Sequence, residues 1–508
     1  MLHAPLSRRR FLALAGAGSA ALALGSCGRR QATPVGATDP AVGAAESRRR
    51  RPDAKVHDVA ITAAPLTVEL GADLRAATWG YDGAVPRSEL RVRAGDLIRA
   101  LFTNQLPEPT TIHWHGITIR NDMDGVPDLT QPAVAPGQTF PYEFTVPEPG
   151  TYWFHPHFGL HLDRGLYAPL IVEDPAEPGN YDREYTVVLD DWIDGIGKSP
   201  EETLADLRAG LGGHAAHGGG WGGEAMSAGP LLGGEHPGDV LYPIYLANGR
   251  RASDPVTLEA RSGERLRLRL VNVASDTPFR VALGGHRMMV THADGFPVEP
   301  VTVDALMIGM AERYDVVVTV GEGGVHPLVA VAEAKGAQAL AVVRSGSGDN
   351  PRPNVRPAEL DRQVLALGDL RATPAVALPA GDVDRTYKVV LEGSDRGYTW
   401  TINGKVRGHD GRHDGDDTGL EVEEGERVRL TFENRSVMFH PMHLHGHHFQ
   451  TVTGKDGGGA RKDTLIVRPD EPVSADFVAD NPGRWVLHCH NLYHMAGGMQ
   501  TTVSYVER

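Results

Sequence analysis

Apolar and polar residues alternate along most of this chain with the period of two that a strand with one buried face requires. Leu266, Leu268 and Leu270 are separated by arginines, and Val428, Leu430 and Phe432 by Arg429 and Thr431. Glycine and proline punctuate these runs at short intervals, as the turns of an all-β sandwich demand. The only stretch that predicts a helix is short, around Ser199 to Leu211. The strand pattern also recurs. Leu90 to Asn104, Leu258 to Asn272 and Leu420 to Asn434 each reach a Gly-Asp or Gly-Glu pair (Gly95-Asp96, Gly263-Glu264, Gly425-Glu426), then alternate to a closing Asn. One domain is therefore present three times. The pattern predicts three β-sandwiches in tandem, at roughly 55–177, 180–346 and 362–508, and a length of 508 residues agrees with about three domains.

The histidines do not follow this threefold repeat. Nine residues after Asn104 stands His113-Trp114-His115-Gly116, and nine after Asn434 stands His443-Leu444-His445-Gly446; nine after Asn272 is Val281. Further on, Pro149-Gly150 leads to His155-Pro156-His157, and Pro482-Gly483 leads at the same spacing to His488-Cys489-His490. Repeats one and three carry a matched metal apparatus, and repeat two does not.

In a strand, residues i and i+2 point to one face and i+1 to the other. His488 and His490 therefore address one site while Cys489 addresses a second, with only a few covalent bonds between them. Cysteine with two histidines and a weak axial methionine is the donor set of a blue-copper electron-transfer centre. Cys489, His494, Met499 and His440 supply it, whereas the first repeat has Thr110 and Pro156 at the positions of His440 and Cys489. The other eight histidines form four pairs, two from each metal-bearing repeat, which suits a three-copper cluster at the interface of domains one and three.

Composition narrows the setting. The net charge of −15 argues against a nucleic-acid partner. Ser7-Arg8-Arg9-Arg10-Phe11-Leu12 followed by a short apolar stretch reads as a twin-arginine export signal, and Leu24-Gly25-Ser26-Cys27 resembles a lipobox, with a cleaved signal and an incidental cysteine as the alternative. Residues 1–54 are thus expected to be signal, lipidation site at Cys27 and flexible tether, and the only membrane contact to run through that lipid. No other hydrophobic run is long enough for a transmembrane helix. With Cys27 spent, Cys489 is the one remaining thiol.

These motifs resemble the multicopper oxidases, a family that includes laccases, ascorbate oxidase and bacterial cuprous oxidases. The likeness runs from about residue 55 to the end of the chain. It looks closest to exported actinobacterial members implicated in copper tolerance, through stretches such as Asn121-Asp122-Met123-Asp124-Gly125 and Met310-Ala311-Glu312-Arg313-Tyr314-Asp315. The resemblance implies cupredoxin-like Greek-key domains and about four copper ions per chain, one of type 1, one of type 2 and two of type 3. His440, Cys489, His494 and Met499 would hold the type 1 ion, His113 and His443 the type 2 ion, and His115, His155, His157, His445, His488 and His490 the type 3 pair. It further implies oxidation of a one-electron donor with reduction of O₂ to water, the electron passing through Cys489 to His488 and His490. Asp124 falls where relatives carry an acid near the cluster, so it is either a proton relay or an ordinary Asp-Gly turn.

The donor is less legible. Met438, two residues before His440, sits where similar cuprous oxidases place a methionine for substrate Cu(I), although Ser436 replaces the partnering acid; buried packing is the other reading. His409 to Asp417 is an acidic turn, and His214, His217 and His236 lie in a glycine-rich loop; both read as solvated loops with metal binding as the alternative. A small phenol as donor, as in laccases, and a non-catalytic copper-binding scaffold are the competing functions.

Overall fold

The computed structural model describes residues 33–507 except 72, 178, 212–228, 234–236, 395–396, 409–418 and 454–456. Strands dominate, and they assemble into six sheets that pair as three sandwiches. In the first, a sheet containing Val56–Gly71, Leu97–Asn104 and Thr139–Thr145 faces one containing His113–His115, Gly150–His155 and Ala168–Glu173. The second pairs a sheet built on Arg183–Trp192, Arg265–Asn272 and Arg313–Thr319 with one built on Phe279–Leu283, Val325–Ala332 and Ala337–Arg344. The third sets Arg385–Ser394, Arg427–Asn434 and Val473–Val478 against His440–Leu444, Arg484–Cys489 and Gln500–Glu507.

The recurring residues have a common task. Gly95, Gly263 and Gly425 all adopt φ between 82° and 91°, the left-handed turn that glycine enters without Cβ strain. The acid that follows closes the turn: Asp96 accepts from Arg93 N, Glu264 from Arg261 N and Glu426 from Glu423 N. The closing asparagine is buried in every repeat and pins the next loop. Asn104 Nδ2 donates to Glu108 O and Val134 O, Asn272 Nδ2 to Thr277 O and Ile308 O, and Asn434 Nδ2 to Met438 O and Val467 O. Each Oδ1 accepts the amide two residues on. The next strand, which carries the first histidine pair in repeats one and three, is thereby set in place.

The expected helix is present as Pro200–Arg208, started by a capping box between Ser199 and Glu202. A second one was not expected. Helix Pro40–Arg49 is capped by Asp39 and buries Val42, Ala45 and Glu46, and Thr33–Pro34 pairs with Glu507 and Val506 at the end of the last strand. Glu46 accepts from both Thr145 N at 2.9 Å and Thr145 Oγ1 at 2.7 Å; Arg50 bridges to Glu143, and Arg48 to Glu424. The flexible tether expected over 28–54 is therefore, from Thr33 onward, a docked strap running from the third sandwich to the first. Alanine and valine on one face of a short helix supply the buried contacts, and composition had hidden them. Among the described residues no helix is long and apolar enough to cross a membrane.

Candidate metal centre

Strand register brings the histidines together. His113 lies opposite His155 and His443 opposite His488 in antiparallel pairs. The two metal-bearing sandwiches then face each other. His115 stacks on His443 and His113 on His445, both with ring centroids 3.8 Å apart. All eight cluster histidines are buried. Their nitrogens converge in three groups, His113 with His115 and His443, His115 with His155 and His490, and His157 with His445 and His488, each within 4.8 Å.

The ring orientations follow one rule. His113 Nδ1 is bonded to Asp124 O, His155 Nδ1 to Pro156 O, and His443 Nδ1 to Asp463 O, each at 2.9 Å, while the Nε2 atoms of these three rings are buried without a hydrogen-bond partner. His115 is reversed: Nε2 faces Asp463 Oδ1 at 3.2 Å and Nδ1 is the orphan. Buried nitrogens are left unpaired at a cost of about 1–3 kcal/mol each, so a convergent set of them is a site for electron-pair acceptors. Burial above all pushes the pKa values of His115, His155, His443, His445 and His490 down, which keeps these rings neutral and their lone pairs available. The donor set fits copper. Leu162, Leu492 and Met495 wall a cavity of about 10 Å³ against His155 and His488, room for a molecule the size of water.

Two buried carboxylates flank the cluster. Asp124 Oδ2 accepts from His445 Nδ1 at 2.8 Å, and Oδ1 lies 3.1 Å from His113 Nδ1. The Asp-Gly turn is real as well: Gly125 has φ 82°, and a Cβ there would lie 1.8 Å from Ile112 O. The turn aims the Asp124 carboxylate at His445 and His113. Asp463 was missed by sequence reasoning; its only signal is a Lys462-Asp463 charge pair heading the apolar run Thr464–Val467. Burial alone would raise its pKa, but the Arg313 guanidinium holds it well below the usual carboxylate range.

The second site lies on the other face of the same strand. Cys489 Sγ is 3.6 Å from His440 Nδ1 and 3.7 Å from His494 Nδ1. Asn491 caps helix Leu492–Ala496 by accepting from Tyr493 N and His494 N, which fixes His494 over the thiol. Met499 is fully buried, and its carbonyl accepts Cys489 N at 3.0 Å. The outer nitrogens are also held: His440 Nε2 by Ser436 Oγ at 2.7 Å and His494 Nε2 by Asp239 Oδ2 at 2.9 Å. Burial pushes the Cys489 thiol up, so a bound cation is needed to draw out the thiolate. His488 Nδ1 is bonded to Cys489 O at 2.9 Å, adding a hydrogen-bonded link between the two sites.

Other expected residues fare differently. Met438 is completely enclosed in the hydrophobic core beside Phe439. It therefore offers no open sulfur to an ion arriving from solvent and is a packing residue; spacing along the chain located it without showing which way it faces. Arg8, Arg9, Cys27, His214, His217, His236 and His409 to Asp417 lie outside the described residues.

Three cupredoxin-like sandwiches, the first and third sharing a histidine cluster with a Cys-His₂ site one residue away, define a multidomain copper redox protein. Models of the multicopper oxidase family match residues 63–177, 183–347 and 384–507. Multicopper oxidase MmcO of Mycobacterium tuberculosis is 45% identical over 506 residues, which is 98% of this chain and 97% of that protein. Copper resistance protein A of Escherichia coli is 28% identical, covering 82% of this chain and 87% of its own. Among solved structures, the laccase of Botrytis aclada aligns with TM-score 0.71 and 25% identity over 89% of this chain and 88% of that one. Fet3p, a multicopper oxidase that functions in iron import, has the same fold, with TM-score 0.73 and 22% identity over 89% and 90% of the two chains. The chain belongs to the multicopper oxidase family, the copper-dependent oxidoreductases that reduce oxygen.

Proposed function

We propose that this enzyme oxidises Cu(I), taking single electrons at the Cys489 site and reducing O₂ to water at the histidine cluster, in copper detoxification. The observation that carries the reading is the two-sided strand Arg484–Cys489, which directs a thiol to one donor set while its neighbouring histidines join the other. His440, Cys489, His494 and Met499 would hold the type 1 ion, His113 and His443 the type 2 ion, and the six remaining cluster histidines the type 3 pair. Bound copper supplies reversible one-electron chemistry at the first site and binding and reduction of O₂ at the second.

The chain's own residues do the rest. Cys489 and the His488 link give the electron a short path. Asp124, held on His445, fixes that ring's tautomer and is placed to relay protons to the cluster. Ser436 and Asp239 hold the outer edges of His440 and His494 and so fix the orientation of the two rings toward Cys489. Copper-resistance relatives favour Cu(I) as that donor. Laccases among the similar proteins favour a second reading, a phenol oxidase. We further assign Arg8-Arg9 to twin-arginine export and Cys27 to a lipid anchor, so that the enzyme works on the extracytoplasmic face.

Copper-loaded protein should be blue, and Cys489→Ser should abolish both the colour and steady-state oxidation. Cu(I) and 2,6-dimethoxyphenol turnover on the same sample separate the two readings; phenol oxidation far faster than Cu(I) oxidation at matched concentrations would replace the first by the second. Cys27→Ala should move active enzyme out of the membrane fraction, and wild type already soluble after cell disruption removes the anchor.

A further inference from the structure

Arg313 is among the largest fully buried side chains, and it belongs to the second sandwich, the one without a histidine pair. Its guanidinium reaches both neighbours. Nη1 and Nη2 donate to the two oxygens of Asp463 at 2.7 and 2.6 Å, Nε donates to Thr151 O at 3.0 Å, and Nη1 also donates to its own sandwich at Ala311 O, 3.1 Å away. Thr151 lies on Gly150–His155, the strand that carries His155. Asp463 in turn faces His115 Nε2 with Oδ1 and accepts His443 Nδ1 with its carbonyl. Three domains thus meet on one side chain.

We propose that Arg313 is a positioning residue for the histidine cluster: the second sandwich, which contributes no histidine to it, sets the cluster's geometry by clamping Asp463. The clamp explains why His115, unlike His113, His155 and His443, has its Nε2 held outward and its Nδ1 unpaired. A carboxylate locked in place by a two-pronged guanidinium accepts a hydrogen bond from Nε2–H of His115, which fixes that tautomer and leaves the Nδ1 lone pair free. Lysine, a point charge without the fork, cannot hold both oxygens in one plane. An independent feature of the first sandwich agrees. Gly116, directly after His115, has φ 82°, and a Cβ there would lie 2.5 Å from Arg313 Nη2 and 2.7 Å from Asp463 Oδ2. The glycine that closes His113-Trp114-His115-Gly116 makes room for the clamp, whereas Gly446 in the matching motif makes room for Trp485.

This inference rests on the copper reading above. The test compares copper-loaded wild type, Arg313→Met, Arg313→Lys, Asp463→Asn and the Arg313→Met/Asp463→Asn double variant. Copper per chain, the blue absorption and the electron-paramagnetic signal of the type 2 ion are measured for each. Arg313→Met should keep the blue absorption while altering or losing the type 2 signal, with type 2 affinity or O₂ reduction down about 10–100-fold, the usual penalty for losing an outer-shell partner. Arg313→Lys should be intermediate. The double variant should be no worse than the worse single one, since both act through one contact. An unchanged type 2 signal in Arg313→Met, blue absorption lost in parallel with it, or fully additive losses in the double variant would each overturn the proposal. If Arg313→Met does not accumulate, an unchanged type 2 signal in Arg313→Lys overturns it instead. A colourless wild type would fail the copper reading; a blue wild type with unaltered variants fails only this one.

Discussion

The second and third sandwiches are built alike and do opposite things. In the third, His443 sits opposite His488; in the second, at the same place in the same pair of strands, Val281 sits opposite Ala330. The next residues on the same faces repeat the contrast, His445 and His490 against Leu283 and Ala332. All four apolar side chains are buried in the second sandwich's own core. A slot that holds a metal donor in one copy thus holds ordinary packing in the other, and the backbone need not change. The second sandwich instead contributes from its borders. Arg313 clamps Asp463, Asp239 caps His494, and Asp276, bonded to Lys335 at 2.7 Å, accepts Asn491 Nδ2 at 2.6 Å at the cap of the His494 helix. Without a histidine pair of its own, this domain braces the other two.

The largest expected effect comes from erasing the contrast. His443→Val with His488→Ala gives the third sandwich the second one's residues; it should abolish O₂ reduction and remove the cluster copper while the blue absorption survives, read by copper per chain and visible spectrum. Next is the brace. Asp276→Ala leaves Lys335 buried without its carboxylate and should cost about 3–5 kcal/mol, measured by denaturant unfolding, with a shift of the blue band because the His494 helix loses its anchor. Smaller still, Asn104→Ala, Asn272→Ala and Asn434→Ala each strip the pin of one repeat and should cost about 1–3 kcal/mol. Only the first and third of these should also disturb the copper spectra, since the Asn272 pin precedes a strand without histidines; equal spectral effects from all three would dissolve the comparison. Smallest is Met438→Leu, a near-isosteric core change worth less than about 1.5 kcal/mol. Cu(I) and phenol turnover should both stay within error, and selective loss of Cu(I) oxidation would reopen Met438 as a substrate site.

Much of this was legible in one dimension. The period-two alternation, the recurring Gly-Asp/Glu and Asn, and the matched histidine pairs are short-range patterns. They are written at spacings that strand geometry converts directly into faces and turns. Cys489 between His488 and His490 needed only the pleat to become two sites. Met438 shows the limit of such reasoning, because distance from His440 along the chain does not say whether a side chain meets solvent or core. The strap from Thr33 to Arg50 shows it too: an Ala-, Gly- and Arg-rich segment looks like a linker until a surface exists for its apolar face to cover.

The sequence alone determined the three β-sandwiches, the copies that carry the histidine pairs and the placing of Cys489 on the opposite face from its neighbours, because each depends on residues a few positions apart. Only the tertiary structure decided that Asp463 meets His115 across 348 residues, Arg313 meets Asp463 across 150, and Asp239 meets His494 across 255. Buried charges are tolerated only where another element brings the opposite charge or a donor to within hydrogen-bond distance. Which element does so is settled when the domains pack, not by the local pattern of the chain.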